Sequence, residues 1–298
     1  MVGPEPGVTR PLVNVLTVDV EEHFQVSGFE TVVAREQWDG FPSRVERNTE
    51  ILLDLFDKTN RKGTFFVLGW VAERHADLVR RISERGHEVA CHGYSHRLVY
   101  TQEPDAFREE TRRSKGLLED AVGRPVLGYR AASFSIGWRN LWALDVLAEC
   151  GIAYDSSLFP VRHDRYGIPG APRHPYRVKT AAGASLVEIP PSTLRLGGTA
   201  LPFGGGGYLR LFPLALTRMA IERLNRKDGI PAVLYVHPWE VDPAQPRVPG
   251  ASLRSRFRHY VGLRTTLPKL EALLERFPFG PMNVWLERAE MLPEKILG

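Results

Sequence analysis

A single α/β domain of parallel strands joined by helical crossovers follows from three features of this 298-residue chain. Short apolar, β-branched runs alternate four times with amphipathic stretches, at a spacing of about 25 to 30 residues. That interval is too long for a hairpin and suits a helical crossover between parallel strands. Four chemistry-bearing residues, Glu21, His92, Arg130 and Asp155, fall at the carboxyl ends of these runs. Parallel sheets and barrels place their ligand sites at those ends.

In chain order, 13–20 reads as a buried strand ending at acids, and 22–26 follows at its carboxyl end. Residues 44–58 have a helical period, with Ile51, Leu52, Leu55 and Phe56 on one stripe. Residues 63–68 are the second strand and 71–84 a helix, with Gly86 as its stop. Residues 87–91 are the third strand and deliver two histidines at its end. Residues 104–121 are helical with Pro104 in the first turn. A strand at 126–130, a helix at 138–150 stopped by Gly151, and a strand at 152–155 complete the alternation.

Beyond Phe159 the pattern changes. Residues 160–176 form a long irregular loop rich in Pro, Gly, Arg and His, a length usually reserved for functional or mobile segments. A short strand is expected at 185–189. Four glycines, Gly204 to Gly207, lack the Lys-Ser/Thr of a P-loop and the spacing of a dinucleotide fingerprint. They read as a tight turn or as backbone brought close to a ligand. A helix at 213–226, a strand at 232–236 ending at His237-Pro238-Trp239-Glu240, a basic surface segment at 247–259 and an amphipathic helix at 265–277 close the chain.

Composition is that of an ordinary globular protein, 43% hydrophobic and 25% charged. The net charge of +4 is spread along the chain and reads as a solvated basic face. No compact basic run with interleaved aromatics points to nucleic acid. Cys91 and Cys150 fit no metal or redox spacing and are expected as free buried thiols. Residues 1–12 are expected to be a disordered tail without the apolar core of a signal peptide, and 13–298 one catalytic domain. No apolar run approaches transmembrane length, so the expected location is cytoplasmic, with membrane association open.

The most informative stretch is Cys91-His92-Gly93-Tyr94-Ser95-His96. Placed on one helical turn, His92 and His96 would lie on the same face and could reach one ion. Two surface histidines are the plain alternative for the pair alone. Upstream, Asp19 and Glu21 point to one face of an extended strand, because side chains alternate with period two. Two imidazoles and a carboxylate, with a position left for water, make the ligand set of a catalytic divalent metal, usually zinc. A second carboxylate beside them can take a proton from that water.

The series TVDVEEHF, HGYSH, GYRAASF, YDSSLFP and LYVHPWE resembles the polysaccharide deacetylases, carbohydrate esterase family four, over roughly residues 13–240. The stretches HDRYGIP and PFGGGGYLR resemble the subgroup found with exopolysaccharide biosynthesis and export. The resemblance implies a distorted (β/α) barrel of about seven parallel strands, a divalent metal (Zn2+ expected), and removal of N-acetyl groups from amino sugars. It implies Asp19 as catalytic base, His92 and His96 as metal ligands, Arg130 as the arginine holding the base, and His237 as the general acid. The family's commonest pattern has two adjacent aspartates; Val20 stands at the second position, and Glu21 is expected to replace it as ligand. The expected partner is an N-acetylated glycan, with association with a membrane polysaccharide assembly open and no nucleic acid.

Weaker candidates remain. Ser133 offers a backbone N–H to the developing oxyanion, and Asp155 could orient a catalytic imidazole or be structural. His163, Asp164 and Gly206 are candidate substrate contacts. Tyr208 and Trp239 could stack on sugars or pack in the core. His23 is a minor ligand candidate, and Glu73, His75 and His87 read as solvated. Two rivals compete: a hydrolase of small cyclic amides or ureides of the allantoinase kind, possible without metal, and a non-enzymatic sugar-binding module.

Overall fold

The computed structural model describes residues 12–163, 166–180 and 182–297; the predicted tail falls almost wholly outside them. Strand β1, Asn14–Val20, is buried along its entire length and lies between two parallel partners. Helix α1 (Val45–Lys58) leads to β2 (Thr64–Val67), and helices α2 (Gly69–Arg74) and α3 (Ala76–Glu84) lead to β3 (Glu88–Cys91). Helix α4 (Pro104–Val122) precedes β4 (Gly128–Tyr129), and α5 (Trp142–Glu149) precedes β5 (Tyr154–Asp155). Then come β6 (Tyr176–Thr180), β7 (Ser185–Glu188), a separate antiparallel hairpin of β8 (Thr193–Leu196) and β9 (Thr199–Pro202), and helices α6 (Gly207–Leu211) and α7 (Leu214–Arg223). The chain ends with β10 (Val233–Val236), α8 (Leu253–Tyr260), α9 (Leu263–Arg276), β11 (Phe279–Gly280) and β12 (Glu294–Leu297).

Seven strands run parallel in the order β10-β1-β2-β3-β4-β5-β7, as the crossover spacing requires. Beyond them β6 pairs antiparallel to β7 and parallel to β12. Among the described residues β10 and β12 do not pair, so the barrel-like path is open.

Period-two alternation sorts β1 into two environments. Leu16, Val18 and Val20 enter the large core beneath the helices. Val15 enters a second core with Phe66, Ala90, Tyr154, Val187, Val233 and Met282. Burying each such aliphatic or aromatic side chain stabilises the fold by about 1.5–3 kcal/mol. The site side chains follow the parity of this second face: Thr17, Asp19 and Glu21 after Val15, His92 after Ala90, and Tyr235 and His237 after Val233. An apolar floor therefore gives way to polar chemistry at the strand ends.

Several expectations are corrected. The helix expected over 71–84 is two helices broken at His75 (φ −130°, ψ 48°). The first two amides of α2 donate to the carbonyls of Gly93 and Tyr94, which fixes its axis separately from α3. The basic segment 247–259 contains helix α8, whose N-cap Ser252 accepts from the Ser255 amide at 3.1 Å. His87 is buried, not solvated: Gly63 N–H donates to its Nδ1, and the ring packs on Phe56 and Phe65. Burial pushes its pKa down to about 4. Glu73, in contrast, is exposed as expected and pairs with Arg74 and Arg113. Cys91 is buried and Cys150 half-buried, both free. No helix among the described residues is long and apolar enough to cross a membrane.

Candidate metal centre and active site

At the carboxyl ends of β1, β3 and β10 the side chains of Asp19, Glu21, His92, His96 and His237 line a pit of about 150 Å3. One ligand atom each from Glu21, His92 and His96 lie within 4.8 Å of one another, and all three residues are buried. The two histidines do not share a helical turn. They sit in a loop in which Gly93 (φ 75°) and His96 (φ 51°) adopt left-handed backbone, and this turns the rings to 5.5 Å between centroids. The spacing found the pair; the conformation that brings it together is different.

Each ligand candidate has its own support. Nδ1 of His92 lies 2.8 Å from the Arg130 carbonyl, an acceptor, so Nδ1 carries the hydrogen and Nε2 presents a lone pair. Burial pushes the His92 pKa down to about 4, so the ring is neutral, the form that ligates. Glu21 Oε1 accepts from Trp239 Nε1–H at 3.1 Å. Burial alone would raise the Glu21 carboxyl, but the surrounding imidazoles of His96, His237 and His92, His96 foremost, together hold it below the usual carboxylate range. Oε2 of Glu21 is buried without a hydrogen bond, although His96 Nε2 lies 2.9 Å away. A buried oxygen and two imidazoles, with no aligned donor among them, fit a cation held between them.

Asp19 accepts from Arg130 Nη1 at 2.6 Å. The same nitrogen donates to Thr17 Oγ1 at 2.8 Å, and Nη2 donates to Ser156 Oγ at 3.0 Å. The guanidinium lies 4.2 Å over the Phe66 ring. Thus Thr17 and Asp19, two apart on β1, present matched acceptors to one rigid fork.

The third element is His237. Its backbone N–H donates to Glu240 Oε2 at 2.9 Å, and its Nδ1 lies 3.1 Å from the same oxygen. Nε2 then faces the pit, 3.9 Å from Asp19 and 3.8 Å from Glu21. Burial alone would lower the His237 pKa; Glu240, and then Glu21 and Asp19, push it up to about 9. Arg210 donates to the other Glu240 oxygen at 2.6 Å and to the carbonyls of His259, Val261 and Arg258. Sequence reasoning assigned Glu240 and Arg210 no role. The His-x-x-Glu spacing behind Pro238 was the available signal for Glu240.

Other candidates are placed differently. Ser133 lines the pit, in left-handed backbone (φ 50°), with Oγ 2.9 Å from Ser27 Oγ. Asp155 accepts from the Ser157 hydroxyl and amide, so its partners are not an imidazole; Glu240 orients His237 instead. Trp239, read as either stacking on sugars or packing in the core, is 5% exposed; its ring stacks on His237 and His259, and it also lines the pit. Gly206 donates its N–H to the Tyr235 carbonyl, and a Cβ on Gly205 would stand 2.0 Å from that oxygen. The glycine run is therefore a close approach to β10, and its last member, Gly207, also lines a cleft beside the pit. Tyr208 and His163 line a cleft of about 510 Å3 that shares Ser27, Ser133 and Trp239 with the pit. Asp164 lies outside the described residues. His23 is buried, 3.6 Å from Glu22, and is not among the three clustered ligand candidates.

Sheet and pit together define an α/β scaffold with a buried acid–imidazole centre fit for a divalent cation and for proton exchange. The model of the polysaccharide deacetylase family matches residues 37–154. A domain of unknown function, DUF3473, matches residues 156–287. His92, His96 and Arg130 lie in the first match and His237, Glu240 and Arg210 in the second, while β10 of the second pairs with β1. One sheet and one pit therefore join the two matched segments.

The chain is similar over its whole length to a crystal structure described as a candidate polysaccharide deacetylase from Mycobacterium smegmatis (TM-score 0.60, 26% identity, 100% of this chain and 99% of that one). It is 33% identical over 75 residues to a peptidoglycan-N-acetylglucosamine deacetylase of Bacillus cereus, covering 25% of this chain and 27% of the relative. It is 31% identical over 107 residues to a peptidoglycan deacetylase of Helicobacter pylori, covering 36% of each. The chain thus spans about a third or less of the length of these two curated relatives.

Proposed function

We propose that the protein is a metal-dependent hydrolase that removes N-acetyl groups from amino sugars of a glycan and releases acetate. The observation that carries this reading is the convergence in one pit of Glu21, His92 and His96 with Asp19 on one side and His237 on the other. The deacetylase names of the partial relatives support it. A divalent ion in that site, zinc being the expected one, would polarise the acetyl carbonyl and acidify a water.

The residues of the chain divide the remaining work. Glu21, His92 and His96 would hold the ion. Asp19, oriented by Arg130, accepts a proton from the attacking water as the C–O bond forms, a contribution of about 10²–10⁴-fold. Ser133, at the wall of the pit, would supply a backbone N–H to the oxygen on which charge develops. His237 gives the proton from Nε2 to the sugar nitrogen as the C–N bond breaks, because an amine leaves poorly as an anion. Glu240 keeps that ring oriented and charged. Residues 13–298 act as one catalytic domain.

The finer reading is an exopolysaccharide, or its lipid-linked precursor, as the glycan. It rests on the resemblance of the 163–169 and 202–210 stretches to proteins found with such systems.

The deciding experiment is acetate release from a panel of N-acetylated glycans, with and without chelator, alongside metal analysis of the purified chain. Chelator-sensitive acetate release is expected. Metal-free protein that releases no acetate but opens a cyclic amide would replace this reading with its rival.

A further inference from the structure

The segment that lines the pit with Ser133 continues into a second wall five residues later. Trp138 follows in a short turn and leaves 52% of its surface exposed. With Tyr100, 45% exposed, and with Trp142 and Tyr166 it lines a cavity of about 550 Å3. This size and aromatic lining are those of small-ligand sites. His163 and Tyr166 line both this cavity and the 510 Å3 cleft, and that cleft shares Ser27, Ser133 and Trp239 with the pit, so the three lie side by side along one face.

The wall is held in place rather than loose. The Val99 amide donates to Ser135 Oγ at 2.9 Å, which ties the turn carrying Tyr100 to the segment carrying Trp138. Asn140 donates to the Ser135 carbonyl at 3.0 Å and accepts from the Gly137 amide at 2.9 Å, clamping the Trp138 turn from both ends. Large aromatic surfaces fixed on rigid turns and left open to water gain when a flat apolar partner covers them. A pyranose ring has such a face, with hydroxyls at its rim.

We infer that the Tyr100–Trp138 wall is a sugar-stacking subsite, filled by a ring of the substrate chain remote from the acetamido group being cut. The inference rests on the deacetylase reading and sharpens it. The substrate is an oligosaccharide or longer, and recognition of a second ring lies on the loop that also shapes the pit.

The test compares Trp138→Ala, Trp138→Phe and Tyr100→Ala with wild type on N-acetylglucosamine oligomers from the disaccharide to the hexasaccharide. Phe257→Ala, an exposed aromatic outside these cavities, serves as control. Trp138→Ala and Tyr100→Ala should each raise KM for the hexasaccharide roughly 3- to 10-fold with kcat unchanged. The disaccharide should be unaffected, Trp138→Phe should recover most of the loss, and Phe257→Ala should match wild type. Equal KM for long and short oligomers across these variants overturns the subsite while leaving the deacetylase reading intact. If wild type releases no acetate from any oligomer, that reading fails. The subsite is then judged by hexasaccharide binding to Asp19→Asn with and without Trp138→Ala: tighter binding with Trp138 supports it, and equal or absent binding overturns it.

Discussion

Arg130 donates to Asp19 at 2.6 Å from a side chain that has no exposed surface, and it spans β1, β4 and the segment after β5 in doing so. Removing one partner of a buried pair leaves the other charge uncompensated, at a cost of about 3–5 kcal/mol. Arg130→Met is therefore expected to lower the urea midpoint accordingly and to abolish activity. Arg130→Lys, a point charge in place of a fork, should recover part of the stability. Asp19→Asn should keep bound metal while acetate release falls about 10²–10⁴-fold. Loss of metal in Asp19→Asn would remove Asp19 from the role of base.

Trp239 holds Glu21 through one indole N–H. Groups that orient a metal ligand commonly contribute 10–100-fold in metal affinity. Trp239→Phe keeps the ring and loses the donor, so the dissociation constant for zinc should rise about 10- to 100-fold by chelator competition. Glu21→Gln should weaken binding further. Unchanged affinity in both variants would mean that the ion, if bound, sits elsewhere.

Glu240 touches no reacting atom in the proposed chemistry, yet both the amide and the ring of His237 depend on it. Glu240→Gln should lower kcat on the order of 10²-fold with KM little changed. Because the two residues act as a unit, the loss in the Glu240→Gln/His237→Ala double variant should be no larger than in His237→Ala alone. Additive losses would separate the two roles.

His87 offers a pH test away from the centre. Its folded pKa, about 4, is depressed below the ordinary value of 6.5 by burial. The unfolded chain therefore binds a proton first as pH falls. The stability this neutral ring contributes is fully present above pH 6.5 and is lost as pH falls through about 4. The whole effect is about 3 kcal/mol. His87→Phe, packed against Phe56 and Phe65, should flatten that part of the stability–pH curve in metal-free protein, at a fixed cost of about 1–3 kcal/mol for the unpaired Gly63 amide. An unchanged slope would show that other groups carry the acid limb.

Where local periodicity carried the information, the sequence was readable. The alternation Thr17, Asp19, Glu21 sets one face of a strand wherever that strand lies, and the recurrence of strand and helix required a parallel sheet. The weaker readings depended on partners distant in the chain. The four-residue spacing of His92 and His96 is as compatible with a helical turn as with the left-handed loop observed, because Gly93 enters left-handed backbone freely whereas His96 is held there only by its tertiary surroundings. Helix α8 was hidden because its composition is basic and only partly amphipathic. His87 looked solvated because neither Phe56 nor Phe65 announces from the sequence that it will cover it.

What the sequence determined by itself was the supply of chemistry at strand ends: an acidic pair in register, two imidazoles, an arginine, a last histidine. What only the tertiary structure decided was how those groups are held. Trp239 reaches Glu21 across 218 residues, and the three donors of Arg130 reach residues on two other strands' ends. Glu240 rather than Asp155 came to orient the imidazole. The physical reason is that side-chain periodicity is a property of a few consecutive residues, whereas a hydrogen bond needs two atoms about 3 Å apart, and only the closing of the sheet brings distant segments that near.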